Sequence, residues 1–175
     1  MKEKVRYIIG FILGFIICII LVPFGLVKLS HLDYLLYSKI LIPSDLLRYI
    51  ICSILFLVGA WFAIWSNIFL LTVGKGGPLD GFGITISPRT RKLVTVGPYK
   101  YCRNPMVFGA FSLYLSIVVF LNSILGFILL LFFLVLGITY LRFSEEKRLI
   151  KDFGNKYLEY RKKVPMIFPI KRIRK

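Results

Sequence analysis

Acidic residues and histidine are scarce in this chain. Its 175 residues include 8 Asp and Glu and one histidine, His31, against 24 Lys and Arg. An excess of positive charge is typical of nucleic-acid-binding proteins, but membrane proteins also retain Lys and Arg in cytoplasmic loops and near anionic headgroups. The apolar runs described below favour the second explanation. We therefore expect no nucleic-acid partner, and we interpret His31 as a surface residue.

The cysteines are few and widely spaced. Cys18, Cys52 and Cys102 form no Cys-x-x-Cys pair, and two of them lie in apolar runs. Neither a disulfide framework nor a metal site is expected from this pattern. The N-terminal apolar run, residues 7–27, is longer than the core of a signal peptide, and no small-x-small cleavage site follows it. We expect it to stay attached as a membrane helix.

Hydrophobic residues are abundant and contiguous. They make up 58% of the chain, against about 45–50% in ordinary globular proteins. A helix needs about 20 apolar residues to cross the hydrocarbon core. Pro23 should kink or end the first span, residues 28–45 should connect it to the second, and the last two spans should form a tight hairpin turning at residues 121–123. The fold class is an all-α integral membrane protein, one domain over residues 1–175, with about four transmembrane helices at residues 7–27, 46–73, 106–121 and 123–141.

The basic residues predict the orientation of this bundle. Of the 24 Lys and Arg, 21 fall on one side of the predicted spans, and only Lys28, Lys39 and Arg48 fall on the other. The positive-inside rule places both termini and the polar segments 74–105 and 142–175 in the cytoplasm. We therefore expect a multi-pass protein of the cell membrane whose chemistry lies on its cytoplasmic side.

The first polar segment contains Leu-Val-Thr-Val-Gly-Pro-Tyr-Lys-Tyr-Cys-Arg-Asn-Pro-Met over residues 93–106. Gly97-Pro98 predicts a turn that allows close approach to a ligand. Asn104 before Pro105 predicts a capped helix start. The residues alone also fit a plain loop with an interfacial pair of tyrosines, Tyr99 and Tyr101. Residues 74–83 are glycine-rich but lack the Gly-Lys-Ser/Thr of a phosphate loop, so we interpret them as a linker.

The second polar segment opens with Arg142, Glu145 and Glu146 at the end of the last span. Adjacent acids are unusual in so basic a chain. They fit a solvated helix face paired with basic residues one turn away, or a fixed anion that faces a cationic ligand. The spans themselves contain almost no charge, with Asn67 among their few polar residues, which argues against an ion-coupled transporter. A non-catalytic membrane protein remains an alternative.

The order of these features resembles the isoprenylcysteine carboxyl methyltransferase family, which is related to the membrane phospholipid methyltransferases. The resemblance covers residues 74–169 and rests on the motif at residues 93–106, the hairpin, the Glu-Glu pair, Phe153-Gly154, Tyr157, Tyr160 and Val164-Pro165. It implies S-adenosylmethionine as cofactor and methyl transfer to a lipid or lipidated acceptor, without a metal. Carboxyl O-methylation of an isoprenylcysteine is one reaction that it implies. Amine N-methylation of a phospholipid, or a non-catalytic homologue, is the alternative.

The resemblance also implies roles for individual residues. Arg142 would orient an acceptor carboxylate, and Glu145 would contact the cofactor, with Glu146 beside it. Asn104 stands where the family has histidine, and Val107 where it often has tyrosine. These two departures bear on the identity of the acceptor. The remaining cofactor-binding residues implied by the resemblance are Arg91, Lys92, Leu93, Val94, Gly97, Tyr99, Arg103, Asn104, Pro105, Met106 and Val107.

Overall fold

The computed structural model describes residues 2–36, 41–76, 80–81, 84–85 and 90–170, and most of these residues are helical. Three long helices contain π-helical turns, which lie at Ile16–Leu21, Leu70–Gly74 and Leu141–Glu145. A 3-10 turn covers Gly97–Lys100. The α-helices are α1 (Lys2–Phe15), α2 (Val22–Leu36), α3 (Asp45–Phe69), α4 (Pro105–Leu121), α5 (Ile124–Tyr140), α6 (Glu146–Phe153) and α7 (Asn155–Lys163).

Among the described residues, three helices are long and apolar enough to cross a membrane. They cover Ile12–Asp33, Asp45–Gly74 and Ile124–Phe153, and α4 is a shorter apolar helix of 17 residues. At 1.5 Å per residue α4 is about 26 Å long, slightly less than the ~30 Å hydrocarbon core. The helical membrane fold is as predicted. The all-α prediction missed one small feature, an antiparallel pair of two-residue strands, β1 (Asp80–Gly81) and β2 (Ile84–Thr85), which is too short to show strand periodicity.

Helices α3 and α4 pack against each other through glycine. A Cβ on Gly109 would lie 2.6 Å from the amide nitrogen of Ala63 and 2.9 Å from the carbonyl oxygen of Gly59. A Cβ on Gly59 would lie 2.7 Å from the amide nitrogen of Leu113. Small residues allow such close approach between helices in lipid, where van der Waals packing drives association. The crossing places the last turns of α3 beside the start of α4, and the candidate site lies at that end.

The hairpin between α4 and α5 turns at the predicted position. Asn122 is left-handed, with φ 55°, and Ser123 begins α5 by accepting a 2.9 Å hydrogen bond from the amide of Gly126 through its side chain. Asn in the left-handed conformation often ends a helix, and Ser is a preferred cap at the N-terminus of the next one. The Asn122 side chain also exchanges two hydrogen bonds with the backbone of Ile42, 2.9 and 3.2 Å long. The turn is therefore held to the chain that precedes α3.

The region after the first predicted span corrects the sequence analysis. Residues 28–45 were predicted as a connection, but α2 remains helical as far as Leu36. Asp33 in this extension is buried, and its carboxylate accepts hydrogen bonds from the Ser123 hydroxyl at 2.8 Å and the Leu125 amide at 3.0 Å. The polar sequence is helical there because Asp33 finds buried partners at the start of α5. His31, two residues earlier, is exposed as predicted.

Pro23 does not end the first helix. The π-helical turn Ile16–Leu21 precedes it, and the Val22 amide bonds to the Ile17 carbonyl five residues back. In the same pattern the amide of residue 23 would serve the Cys18 carbonyl, but proline has no N–H. The Tyr114 hydroxyl donates to that carbonyl instead, at 3.2 Å. A hydrogen bond from α4 thus satisfies the acceptor that the proline leaves open.

Candidate functional site

The loop after α3 folds back on the end of that helix. The Arg91 amide donates to the Gly74 carbonyl at 2.9 Å, and Val94 is buried beside Gly74. Gly97 has a φ of +61°, and a Cβ there would lie 2.6 Å from the Phe69 ring. The positive φ and the close ring both favour glycine at this turn. The loop is therefore held against α3 before it reaches Tyr99.

Tyr99 lies in the 3-10 turn Gly97–Lys100 and is partly buried. Its carbonyl accepts a 2.6 Å hydrogen bond from the Tyr160 hydroxyl of α7. Burial raises the pKa of Tyr99 well above its usual range, and the Glu145 carboxylate raises it further. The hydrogen bond from Tyr160 joins the second polar segment to this turn. The two polar segments of the sequence therefore meet at this turn.

A buried ion pair links the same two segments more tightly. Arg103 Nη1 contacts Glu146 Oε1, and both side chains are 6% exposed. The same nitrogen lies 3.2 Å from the Tyr157 hydroxyl, and Arg161 Nε lies 3.4 Å from Glu146 Oε2. Burial raises the pKa of Tyr157, while the Arg103 guanidinium opposes that shift. Because buried charges need partners, this cluster fixes the loop, α6 and α7 relative to one another.

The two adjacent acids have different surroundings. Glu146 is buried between Arg103 and Arg161, so its carboxylate holds protein elements together. Glu145 lies in the π-helical turn with its side chain 29% exposed, 3.6 Å from Arg148 Nη2. It is the more accessible acid and the one whose charge acts on Tyr99. Of the pair, Glu145 is therefore the one that the surroundings of the protein can reach.

The chain after α7 is hydrogen-bonded to the two residues that precede α4. The amides of Arg103 and Asn104 donate to the carbonyls of Pro165 and Met166 at 2.9 and 3.0 Å. Asn104 was predicted to cap α4, and it does occupy the position before Pro105. Its side chain makes no capping bond, however, and Asn104 Nδ2 donates to the Met166 carbonyl at 3.1 Å. The capping prediction is wrong because this long-range acceptor takes the side chain.

Cys102 is fully buried between these elements. Burial raises the pKa of its thiol to about 12. A thiol that stays protonated at neutral pH is a poor nucleophile. Cys102 is therefore a packing residue of the loop. Tyr160 beside it also has its pKa raised, chiefly by burial.

We define the candidate site by Tyr99, Arg103, Glu145, Glu146 and Tyr157. The structure brings together the first four, which the sequence predicts, and adds Tyr157 from α7. The other predicted residues differ in their burial. Val94 and Pro105 are buried, and Leu93, Gly97, Asn104, Met106 and Val107 are partly buried. The exposed residues among those predicted are Arg91, Lys92 and Arg142.

Helix α7 contributes to the site, although no role was predicted for it from the sequence. Tyr157, Tyr160 and Arg161 contact the loop or Glu146, and their spacing of three and four residues places them on one helix face. The two tyrosines were part of the family resemblance but had no predicted role. The helical spacing of two tyrosines and an arginine was the available signal.

The polar groups of the site fit a ligand that carries both charges. Arg103 Nε is buried and has no hydrogen-bond partner in the described part of the chain. Arg103 lies two residues before α4, which begins without a side-chain cap and whose first amides lack helical partners. These donors suit an anionic carboxylate. Glu145 supplies the opposite charge, and S-adenosylmethionine carries a carboxylate, an ammonium and a sulfonium.

Fold and site define a helical membrane protein with a buried ionic cluster at one end of its apolar helices. Residues 47–156, more than half of the chain, match the family model described as phospholipid methyltransferase. The chain belongs to the phospholipid methyltransferase family. This confirms the resemblance to the membrane phospholipid methyltransferases, while the isoprenylcysteine type stays a prediction. No curated protein matches the chain.

Proposed function

We propose that this protein is an S-adenosylmethionine-dependent methyltransferase that acts on a lipid-borne acceptor at the charged end of its spans. The observation that carries the proposal is the meeting of two polar segments in a member of a methyltransferase family. Arg103 from one segment pairs with Glu146 from the other, and the Glu145 carboxylate raises the pKa of Tyr99. The positive-inside rule places this end in the cytoplasm, where the cofactor is available.

Each end of the cofactor has a partner of opposite charge in this proposal. Glu145 faces its cationic groups, because opposite charges attract more strongly near a low-dielectric boundary than in water. The first amides of α4 and Arg103 Nε receive its carboxylate. Glu146 holds Arg103 in place. Tyr99 and the backbone of the residue 91–107 segment form the remaining wall, as the family resemblance implies.

The bound cofactor supplies an electrophilic methyl group on a sulfonium for in-line displacement by the acceptor. The residues of the chain therefore need to align the two reactants and exclude water. The buried cluster of Arg103, Glu146 and Tyr157 makes the wall of the site rigid. An apolar acceptor reaches the site laterally from the bilayer, while the cofactor comes from the aqueous side.

Two acceptor chemistries fit this arrangement. The family match favours a phospholipid amine. Arg142, exposed in the π-helical turn just before Glu145, fits the alternative of an isoprenylcysteine carboxylate that needs a cationic partner. The products differ chemically, because a methyl ester releases labelled methanol in alkali and an N-methyl amine does not. Alkaline treatment of radiolabelled product therefore distinguishes the two acceptors.

Calorimetry of purified protein with S-adenosylhomocysteine tests the cofactor site. The wild type should bind, and Glu145→Gln should weaken binding at least tenfold without loss of helicity. Glu159→Gln is the matched control, because Glu159 is an exposed acid on α7. Equal affinity in wild type and Glu145→Gln would remove Glu145 from the site. No binding by the wild type would contradict the proposed function.

A further inference from the structure

The chain that follows α7 links the candidate site to the membrane surface. We call residues 164–170 the strap. Its Pro165 and Met166 carbonyls accept the amides of Arg103 and Asn104. Ile167 is buried, whereas Phe168 and Ile170 are exposed. The strap thus has one polar edge bonded to the site and apolar side chains beyond it.

The apolar part of the strap lies beside a membrane helix. The Phe168 ring packs edge-on against Phe108 and Phe111 of α4, with centroids 6.2 and 5.9 Å away. Phe111 is six residues after Pro105, about 9 Å along the helix at 1.5 Å per residue. Phe168 is therefore at the depth where α4 enters the apolar layer. Ile170 follows it with 72% of its surface exposed.

Positive charge flanks this apolar part on both sides. Lys162 and Lys163 end α7 and are exposed immediately before the strap. The sequence after the strap, Lys-Arg-Ile-Arg-Lys, is also basic. Apolar side chains at interface depth with adjacent lysines are the combination that binds anionic lipid surfaces.

We propose that the strap binds the anionic lipid headgroups of the membrane that the protein spans, and that this binding stabilises the candidate site. The partner is an anionic bilayer surface. Lipid phosphates attract the lysines, and the bilayer interface takes Phe168 and Ile170. When the strap is bound to the membrane, its carbonyls stay hydrogen-bonded to the amides of Arg103 and Asn104. These amides lie just before α4, at one end of the site. The effect of the strap on the candidate site rests on the proposed function. Lipid binding by the strap does not.

The test measures hydrogen exchange of the Arg103 and Asn104 amides in ligand-free protein. Full-length protein is placed in nanodiscs of phosphatidylcholine, with or without an equal share of phosphatidylglycerol. Anionic lipid should slow exchange of these amides by about fivefold for each lysine engaged. High salt should remove the effect, because it screens exposed charges.

Matched variants assign the effect to the strap. Lys162→Gln with Lys163→Gln should abolish the protection by anionic lipid. Lys151→Gln with Lys156→Gln removes the same charge from exposed positions on α6 and α7 and should preserve it. Ile170→Ser should also reduce the protection. This variant leaves the aromatic contacts of Phe168 in place, so its effect is not caused by lost packing against α4.

Equal exchange in neutral and anionic nanodiscs would overturn the proposal. Equal losses in the two double-lysine variants would do so as well, since the effect would then be general to the charged face. Titration with S-adenosylhomocysteine in the same nanodiscs separates the two proposals. Lipid-dependent amide protection without ligand binding would contradict the proposed function and leave the strap's lipid binding supported.

Discussion

Glu146→Gln should destabilise the protein severely while the same change at the neighbouring acid should not. Glu146 and Arg103 are each 6% exposed, so neutralising the carboxylate leaves a buried guanidinium without its anion. Removing one partner of a buried pair costs about 3–5 kcal/mol. Glu145 is 29% exposed and pairs with Arg148 at 3.6 Å, so Glu145→Gln should cost about 1 kcal/mol or less.

A third variant tests the same reasoning from the other side of the carboxylate. Arg161 is 43% exposed and lies 3.4 Å from Glu146, so Arg161→Gln should cost at most about 1 kcal/mol. Replacing both buried partners, Arg103→Met with Glu146→Leu, should recover much of the stability, because the cation then left without Glu146 is the half-exposed Arg161. The double variant should still bind cofactor poorly.

Reversible unfolding in mixed micelles with rising SDS, followed by circular dichroism, measures these differences. Glu146→Gln should lose the most stability, and Glu145→Gln and Arg161→Gln should stay close to wild type. If Glu146→Gln lost no more stability than Arg161→Gln, the buried pair would not hold the two polar segments together. The description of the site as a cluster fixed by Glu146 would then be wrong.

Three further predictions follow from the membrane core and the loop. Tyr114→Phe should cost about 1 kcal/mol in the same unfolding assay. It should cost less in a Pro23→Ala background, because the new amide of residue 23 can donate to the Cys18 carbonyl. Equal costs in both backgrounds would refute the role of Tyr114 as the donor that replaces the proline N–H. Gly109→Ala should destabilise the protein by more than about 1 kcal/mol through backbone overlap, whereas Gly137→Ala, which meets nothing within 4 Å, should be neutral. With its pKa raised to about 12, Cys102 should resist alkylation at pH 8.5 until the protein unfolds, as mass spectrometry of the labelled peptide would show.

The membrane architecture could be predicted from the sequence because its signals are local. Long apolar runs, the Asn122-Ser123 break and Pro105 at a helix start each act within a few residues, and each is found in the structure. The extension of α2 was missed because its polar residues read as a loop. Its helical state depends on Asp33 meeting Ser123, 90 residues away, which no local pattern reveals.

Most residues of the site could be predicted from the sequence, but their separate roles could not. The resemblance brought forward Arg103, Glu145 and Glu146, but it could not say which acid is buried. That distinction depends on the π-helical turn, which ends at Glu145, and on Arg161 of α7. The hydrogen bond of the Asn104 side chain likewise depended on the carbonyl of Met166, 62 residues later in the chain. Non-local partners decided these roles.

The proposed function itself is tested most directly by methyl transfer in a defined membrane. Purified protein in nanodiscs containing phosphatidylethanolamine, with farnesylcysteine supplied in a parallel sample, is incubated with methyl-labelled S-adenosylmethionine. The prediction is label in the extracted acceptor with wild type and a loss of at least tenfold with Glu145→Gln, which keeps its fold. Absence of label from both acceptors with wild-type protein that binds the donor, or full activity of Glu145→Gln, would contradict the site proposed for this chain.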